Sequence, residues 1–152
     1  MTTTTPALYL TTNQVIDAVQ RLDGHALIPR TLALWAKQGI VVPSVRHDGQ
    51  RGRYHPRLYN LSDLARVRLV VRLRRHGVTM FNVRIMLAYL DAQLREVWRP
   101  HSNASLVVNG LSAYIALPGQ QAQELGTGQL RLKLDDVWKG NEKAAQQITR
   151  SA

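Results

Sequence analysis

Twelve basic side chains, eleven of them arginine, fall between residues 29 and 84, against only Asp48 and Asp63. That block carries a net +10, while residues 1–28 sum to −1 and residues 85–152 to +1. Guanidinium groups make forked hydrogen bonds to phosphates and base edges. Concentrated arginine therefore predicts a polyanionic partner, with nucleic acid the leading class. The bland alternative is a solvated arginine face on a helix. Within the block, Arg30 and Thr31 open a short helical segment that contains Lys37. Arg30 is the candidate reader of guanine, and Lys37 a candidate phosphate contact. Thr31 either meets a phosphate at the helix N-terminus or merely caps and packs. Arg46, Arg51, Arg53 and Arg57 belong to a following basic hairpin, with His47 and Gln50 near its tip, where a minor groove is in reach. Tyr54 and Tyr59 either pack this hairpin or hydrogen-bond a phosphate.

Other chemistries find less support. The chain has no cysteine, which excludes disulfides, thiolate metal sites and a cysteine nucleophile. Its five histidines (25, 47, 55, 76 and 101) show no ligand spacing, although His47 and His55 face each other across the expected hairpin. No nucleophile elbow surrounds a serine. Gly126-Thr127-Gly128 lacks the lysine and following helix of a phosphate-binding loop. A non-enzyme without metal or cofactor is expected. Apolar types make up 45% of the 152 residues, enough for one domain or a domain with a small appendage. The apolar runs are too short to span a bilayer, and the N-terminus does not read as a signal peptide. The expected location is cytoplasmic and nucleoid-associated.

The elements that must position these side chains follow from spacing and punctuation. A frayed tail over residues 1–8 precedes a helix from Thr11 or Thr12, with Val15, Ile16, Val19 and Leu22 on one side, ended by Asp23-Gly24. After a loop, Pro29 suits the first turn of a second helix. Leu32 and Trp35 face a core from it, and Gly39 stops it. Residues 40–46 read as extended, His47-Asp48-Gly49-Gln50 as a turn, and residues 54–59 as a returning strand. Asn60 or Ser62 caps a third helix, with Asp63 in its first turn and Gly77 at its end. The arginines at 66, 68, 72, 74 and 75 spread around this helix, so most are expected in solvent. Thr79 caps a fourth helix with a stripe of Val83, Met86, Leu87, Leu90, Leu94 and Val97, stopping by Arg99-Pro100. Leu106 to Leu117 reads as a hairpin about Asn109-Gly110, a pair suited to a type I′ turn. Gln129 to Leu134 alternates as a third strand. Asp135 or Asp136 is placed to cap a short last helix, and a loose polar tail is expected after it.

Helix, loop, short helix, glycine, basic hairpin, helix is the order of a winged helix-turn-helix. A short helix fits the major groove, and a basic hairpin reaches neighbouring phosphates. The run from Pro29 to Ile40, then Pro43, Gly52-Arg53, Leu58-Tyr59, Asp63-Leu64 and Leu73 to Thr79, resembles the MerR-type DNA-binding domain over roughly residues 9–90. The resemblance implies a homodimeric, sequence-specific DNA-binding regulator with its short second helix in the major groove. This chain departs from the pattern in several places. The loop between the first two helices is longer than usual. Ala33 stands where the family often has a DNA-binding arginine, and Trp35 where tyrosine is common. The family's long dimerisation helix and metal-sensing cysteines are missing. The region from Leu106 to Trp138 more weakly resembles a small β-rich extension of some bacterial MerR-like proteins of unassigned function.

The expected fold is α+β. Residues 9–98 form a winged helix-turn-helix domain with a β-hairpin wing. Residues 103–148 form a small three-stranded region with a short helix, for dimerisation or partner binding. The expected function is a homodimeric transcriptional regulator on double-stranded DNA. The alternatives are an antitoxin-like autoregulator that binds a protein partner through its C-terminal region, or a phage or architectural DNA-binding protein of low specificity.

Overall fold

The computed structural model describes residues 8–45, 57–92, 97–109, 112–116 and 129–151. The described residues form five α-helices and one small antiparallel sheet, an α+β fold. They cluster as two compact units, one drawn from Met1–Arg68 with Gly140–Ala152, the other from Leu69–Lys139.

In the first unit, α1 (Thr12–Asp23) opens with a reciprocal cap. The Gln14 N–H donates to Thr11 Oγ1 at 3.3 Å, and the Thr11 N–H donates to Gln14 Oε1 at 2.9 Å. Val15, Ala18 and Val19 are its buried side. Helix α2 (Pro29–Lys37) carries proline in its first turn, and no side chain caps its N-terminus. Gly39 follows at φ 73°, a left-handed conformation that costs glycine little. That turn lets the Gly39 N–H donate to the Ala36 carbonyl and the Ile40 N–H to the Trp35 carbonyl, closing the helix in a Schellman arrangement. The Val41 N–H also donates to Trp35. Residues 40 and 41 thus complete the helix end instead of starting the extended strand expected there. The hairpin ladder among the described residues is one bridge, Val45 with Leu58.

A second bridge, Leu10 with Tyr59, joins the segment before α1 to the segment before α3. Both side chains are fully buried. The sequence reading placed Leu10 only as a helix-preceding residue, because this partner lies far along the chain.

Helix α3 (Leu61–Arg75) begins with another reciprocal cap. The Asp63 N–H donates to Asn60 Oδ1 at 2.8 Å, and the Asn60 N–H donates to Asp63 Oδ2 at 3.0 Å. The same Asp63 oxygen accepts from the backbone N–H and hydroxyl of Ser44. One carboxylate therefore caps α3 and pins the incoming hairpin strand. Leu64, Ala65, Val67, Leu69, Val70, Val71 and Leu73 are all buried, which is nearly the whole circumference of the helix. Arg66 donates from Nε to the Ile40 carbonyl at 2.9 Å and so holds the chain just beyond α2.

The expectation of solvated arginines fails at Arg68. Its side chain is only 3% exposed and forks onto Asp23, with Nε 2.8 Å from Oδ2 and Nη2 3.1 Å from Oδ1. Its Nη1 donates to Asn141 Oδ1 at 2.7 Å. Asn141 opens α5 (Asn141–Arg150), a ten-residue helix where a loose tail was expected. Ala144, Ala145 and Ile148 are its buried side, and α5 packs on α1. Gly140 precedes it at φ 83°, and a Cβ there would lie 2.8 Å from Leu22 Cδ2. The φ of 83° is what favours glycine here, since the Leu22 methyl can shift.

In the second unit, α4 (Met80–Ala92) is capped by Thr79, whose Oγ1 accepts the Asn82 N–H at 3.2 Å. Val83, Met86, Leu87 and Leu90 are buried as expected, and Leu94 lies outside the described residues. Strands β1 (Ser105–Asn109), β2 (Ser112–Ala116) and β3 (Gln129–Lys133) form a sheet in the order β2-β1-β3. The register pairs Asn109 with Ser112, and the expected Asn109-Gly110 turn falls partly outside the described residues. This register sets Leu106 opposite Ile115 on one side and opposite Leu132 on the other.

Neither Asp135 nor Asp136 caps a helix. They lie inside a 3₁₀ turn (Leu134–Val137), and Asp135 Oδ1 accepts the His101 N–H at 2.6 Å. Trp98 and Trp138 meet with ring centroids 5.3 Å apart and planes tilted by 57°.

Candidate nucleic-acid interface

A nine-residue helix has room for two faces, and α2 divides cleanly. Leu32, Trp35 and Ala36 are buried. Arg30, Ala33, Leu34 and Lys37 are exposed and follow one another at i, i+3, i+4 and i+7. That spacing brings them onto one side of the helix. The Schellman closure and the buried Trp35 anchor the other side, so the outward row is held by the backbone and not by its own contacts.

Arg57 joins this row from the segment just before the Leu58 and Tyr59 bridges. Together Arg30, Ala33, Leu34, Lys37 and Arg57 line an open groove of about 410 Å³. Three long cationic side chains thus frame an apolar floor made by Ala33 and Leu34. No side chain caps the N-terminus of α2, and Pro29 contributes no N–H there. The Thr31 N–H donates to the Ile28 carbonyl at 3.0 Å, and its side chain is half-buried.

The structure brings together three of the residues singled out from the sequence: Arg30, Lys37 and Arg57. It removes Tyr59, which is wholly buried and therefore packs instead of reaching a phosphate. Arg46, His47, Gln50, Arg51, Arg53 and Tyr54 lie outside the described residues. Ala33 and Leu34 were not singled out as site residues. Their signal was present in the spacing from Arg30 to Lys37, and the sequence reading marks Ala33 only as standing where the family often has an arginine. Among the described residues, no group of three His, Cys, Asp or Glu side chains is placed to hold a metal ion. No helix among them is long and apolar enough to cross a membrane.

Residues 26–90, which run from the loop before α2 nearly to the end of α4, match the family described as MerR HTH family regulatory protein. The chain is also similar to three uncharacterized HTH-type transcriptional regulators, one from Mycobacterium bovis and two from strains of Mycobacterium tuberculosis. Each is 29% identical to it over 99 residues. The aligned stretch is 65% of this chain and 42% of each relative, so the chain spans less than half the length of the relatives it matches. The family match encloses both the outward row of α2 and the helix α3 that supports it, and residues 26–90 are accordingly a MerR-family helix-turn-helix domain.

Proposed function

We propose that this chain is a sequence-specific, double-stranded DNA-binding transcriptional regulator that acts as a homodimer. Helix α2 enters the major groove, and the basic segment around Arg57 lies on flanking phosphates. The observation that carries this reading is the outward row of α2, where Arg30, Lys37 and Arg57 converge on one groove within the MerR-family domain. The similarity to HTH-type transcriptional regulators supports it. Arg30 reads a base edge, while Lys37 and Arg57 contact phosphate. The wing arginines at 46, 51 and 53, with His47, Gln50 and Tyr54, extend the same contact. The sheet region of residues 103–139 serves dimerisation or partner binding, whereas α5, expected in that region, packs on α1 in the unit that carries α2.

The test is selection of bound duplexes from a random pool with purified full-length protein at near-physiological salt. An enriched inverted repeat is the expected result, since a two-fold protein reads two half-sites. Binding that favours no sequence and collapses as salt rises would point instead to an architectural role.

The dimer has its own support. Phe81, Ile85 and Tyr89 recur at i, i+4 and i+8 along α4 and are 72%, 51% and 37% exposed. Such an apolar stripe is the kind of surface that association covers. Replacing Phe81 and Ile85 together by glutamate should yield a monomer in sedimentation equilibrium. Helical content should be unchanged, because neither side chain is in the core. Affinity for the inverted repeat should fall at least tenfold while a single half-site is bound as before. A double variant that remains dimeric would remove α4 from the interface.

A further inference from the structure

An exposed leucine on a protein surface is ordinary and by itself calls for no explanation. Leu34 is different because of where it stands. It is 48% exposed and occupies the middle of the outward row of α2, between Arg30 and Lys37, in the groove that Arg57 completes. Ala33 beside it adds no length, so nothing on this face reaches past Leu34 except cations. A surface shaped to meet a polyanion would be expected to carry a polar side chain at its centre. An apolar side chain there suits an apolar group that a polyanion itself displays. In the major groove of DNA that group is the C5-methyl of thymine.

We infer that Leu34 is a specificity-determining residue that packs on the 5-methyl group of a thymine in the major groove. The inference rests on the proposed reading that α2 enters that groove. Helix geometry limits where the thymine lies. Four residues at 1.5 Å each separate Arg30 and Leu34 by roughly 6 Å along the helix axis. Base steps are about 3.4 Å apart. The thymine therefore falls within about two base pairs of the base that Arg30 contacts. The surrounding cations hold the backbone on either side, and the methyl contact excludes water between Leu34 and the base edge. A cytosine in the same position carries hydrogen at C5 and so offers Leu34 no methyl group to cover, which disfavours it.

The test removes the methyl group and nothing else. In the selected duplex each thymine is replaced in turn by deoxyuridine, and affinity is measured for the wild type, for Leu34→Ala and for Leu34→Met. The expected result is one thymine per half-site whose demethylation weakens the wild type about fourfold, the effect of one buried methyl-sized group. Leu34→Ala should bind the thymine duplex about fourfold more weakly and be indifferent to that demethylation. Leu34→Met, which keeps an apolar side chain of similar volume, should keep the sensitivity. Since Leu34 is outside the core, thermal melts of the variants should match the wild type, which separates readout from folding.

Three results overturn the inference while leaving DNA binding intact: a selected site with no thymine under α2, a wild type insensitive to every deoxyuridine, or a Leu34→Ala variant that keeps full methyl sensitivity. A protein that selects no duplex at all overturns both this inference and the function on which it rests.

Discussion

Arg68→Ala is expected to destabilise the unit containing α1, α2 and α5 by about 3–5 kcal/mol, the usual loss when one member of a buried pair is removed. The guanidinium of Arg68 and the carboxylate of Asp23 are each 3% exposed and bonded through two oxygens. Deleting the arginine removes the fork on a buried carboxylate and the bond to the Asn141 amide oxygen at the start of α5. Urea denaturation followed by far-ultraviolet circular dichroism measures the loss. Limited proteolysis should show cleavage within α5 before the rest of the unit. The replacement of both partners by apolar side chains, Asp23→Leu with Arg68→Met, should be far milder, because two desolvation costs disappear together with the pair. A loss below about 1 kcal/mol for Arg68→Ala would match a solvent-screened pair and contradict the burial.

The second large effect concerns DNA. Arg30→Ala should weaken binding to the selected site by about 1–3 kcal/mol, roughly fivefold to 150-fold, and should relax the preference at one position of each half-site. Arg57→Ala should weaken binding to every duplex about equally and reduce the magnitude of the salt slope by about 1. The contrast follows from position. Arg30 lies in the first turn of α2, the helix proposed to enter the major groove, whereas Arg57 lines the protein's surface groove from a neighbouring segment. Repeating the selection with each variant, and measuring affinity over a range of salt, separates the two roles. Equal, sequence-independent losses from both would remove Arg30 as a base reader.

The departures from the family pattern gain a physical meaning here. Ala33 replaces an arginine common in MerR-type domains, so this helix brings one cation fewer to its outward face. If Leu34 reads a thymine methyl as inferred, the apolar centre made by Ala33 and Leu34 shifts the readout from charge toward methyl contact. Lys37 and Arg57 keep the flanks cationic.

Local signals were sufficient for α1 to α4. Their apolar spacing, the caps at Thr11, Asn60 and Thr79, and glycine after α2 act over a few residues, so they can be read in order along the chain. The cationic row of α2 was legible for the same reason, since i, i+3, i+4 and i+7 is a local relation. Tertiary structure decided what depends on distant partners. Arg68 looks like any other helical arginine until Asp23, 45 residues away, and Asn141, 73 residues away, surround it. Helix α5 is a polar stretch with three small apolar positions, and only α1 gives those positions a surface to cover. Tyr59 has the same composition whether it serves as a phosphate ligand or as a core residue, and its pairing with Leu10 made it core. The neighbours of Leu106 in the sheet, Ile115 and Leu132, likewise come from two different strands, a pairing no local signal fixes. Burial is a property of the assembled chain. A side chain that sequence shows only as charged or apolar acquires its role from the groups that exclude water around it.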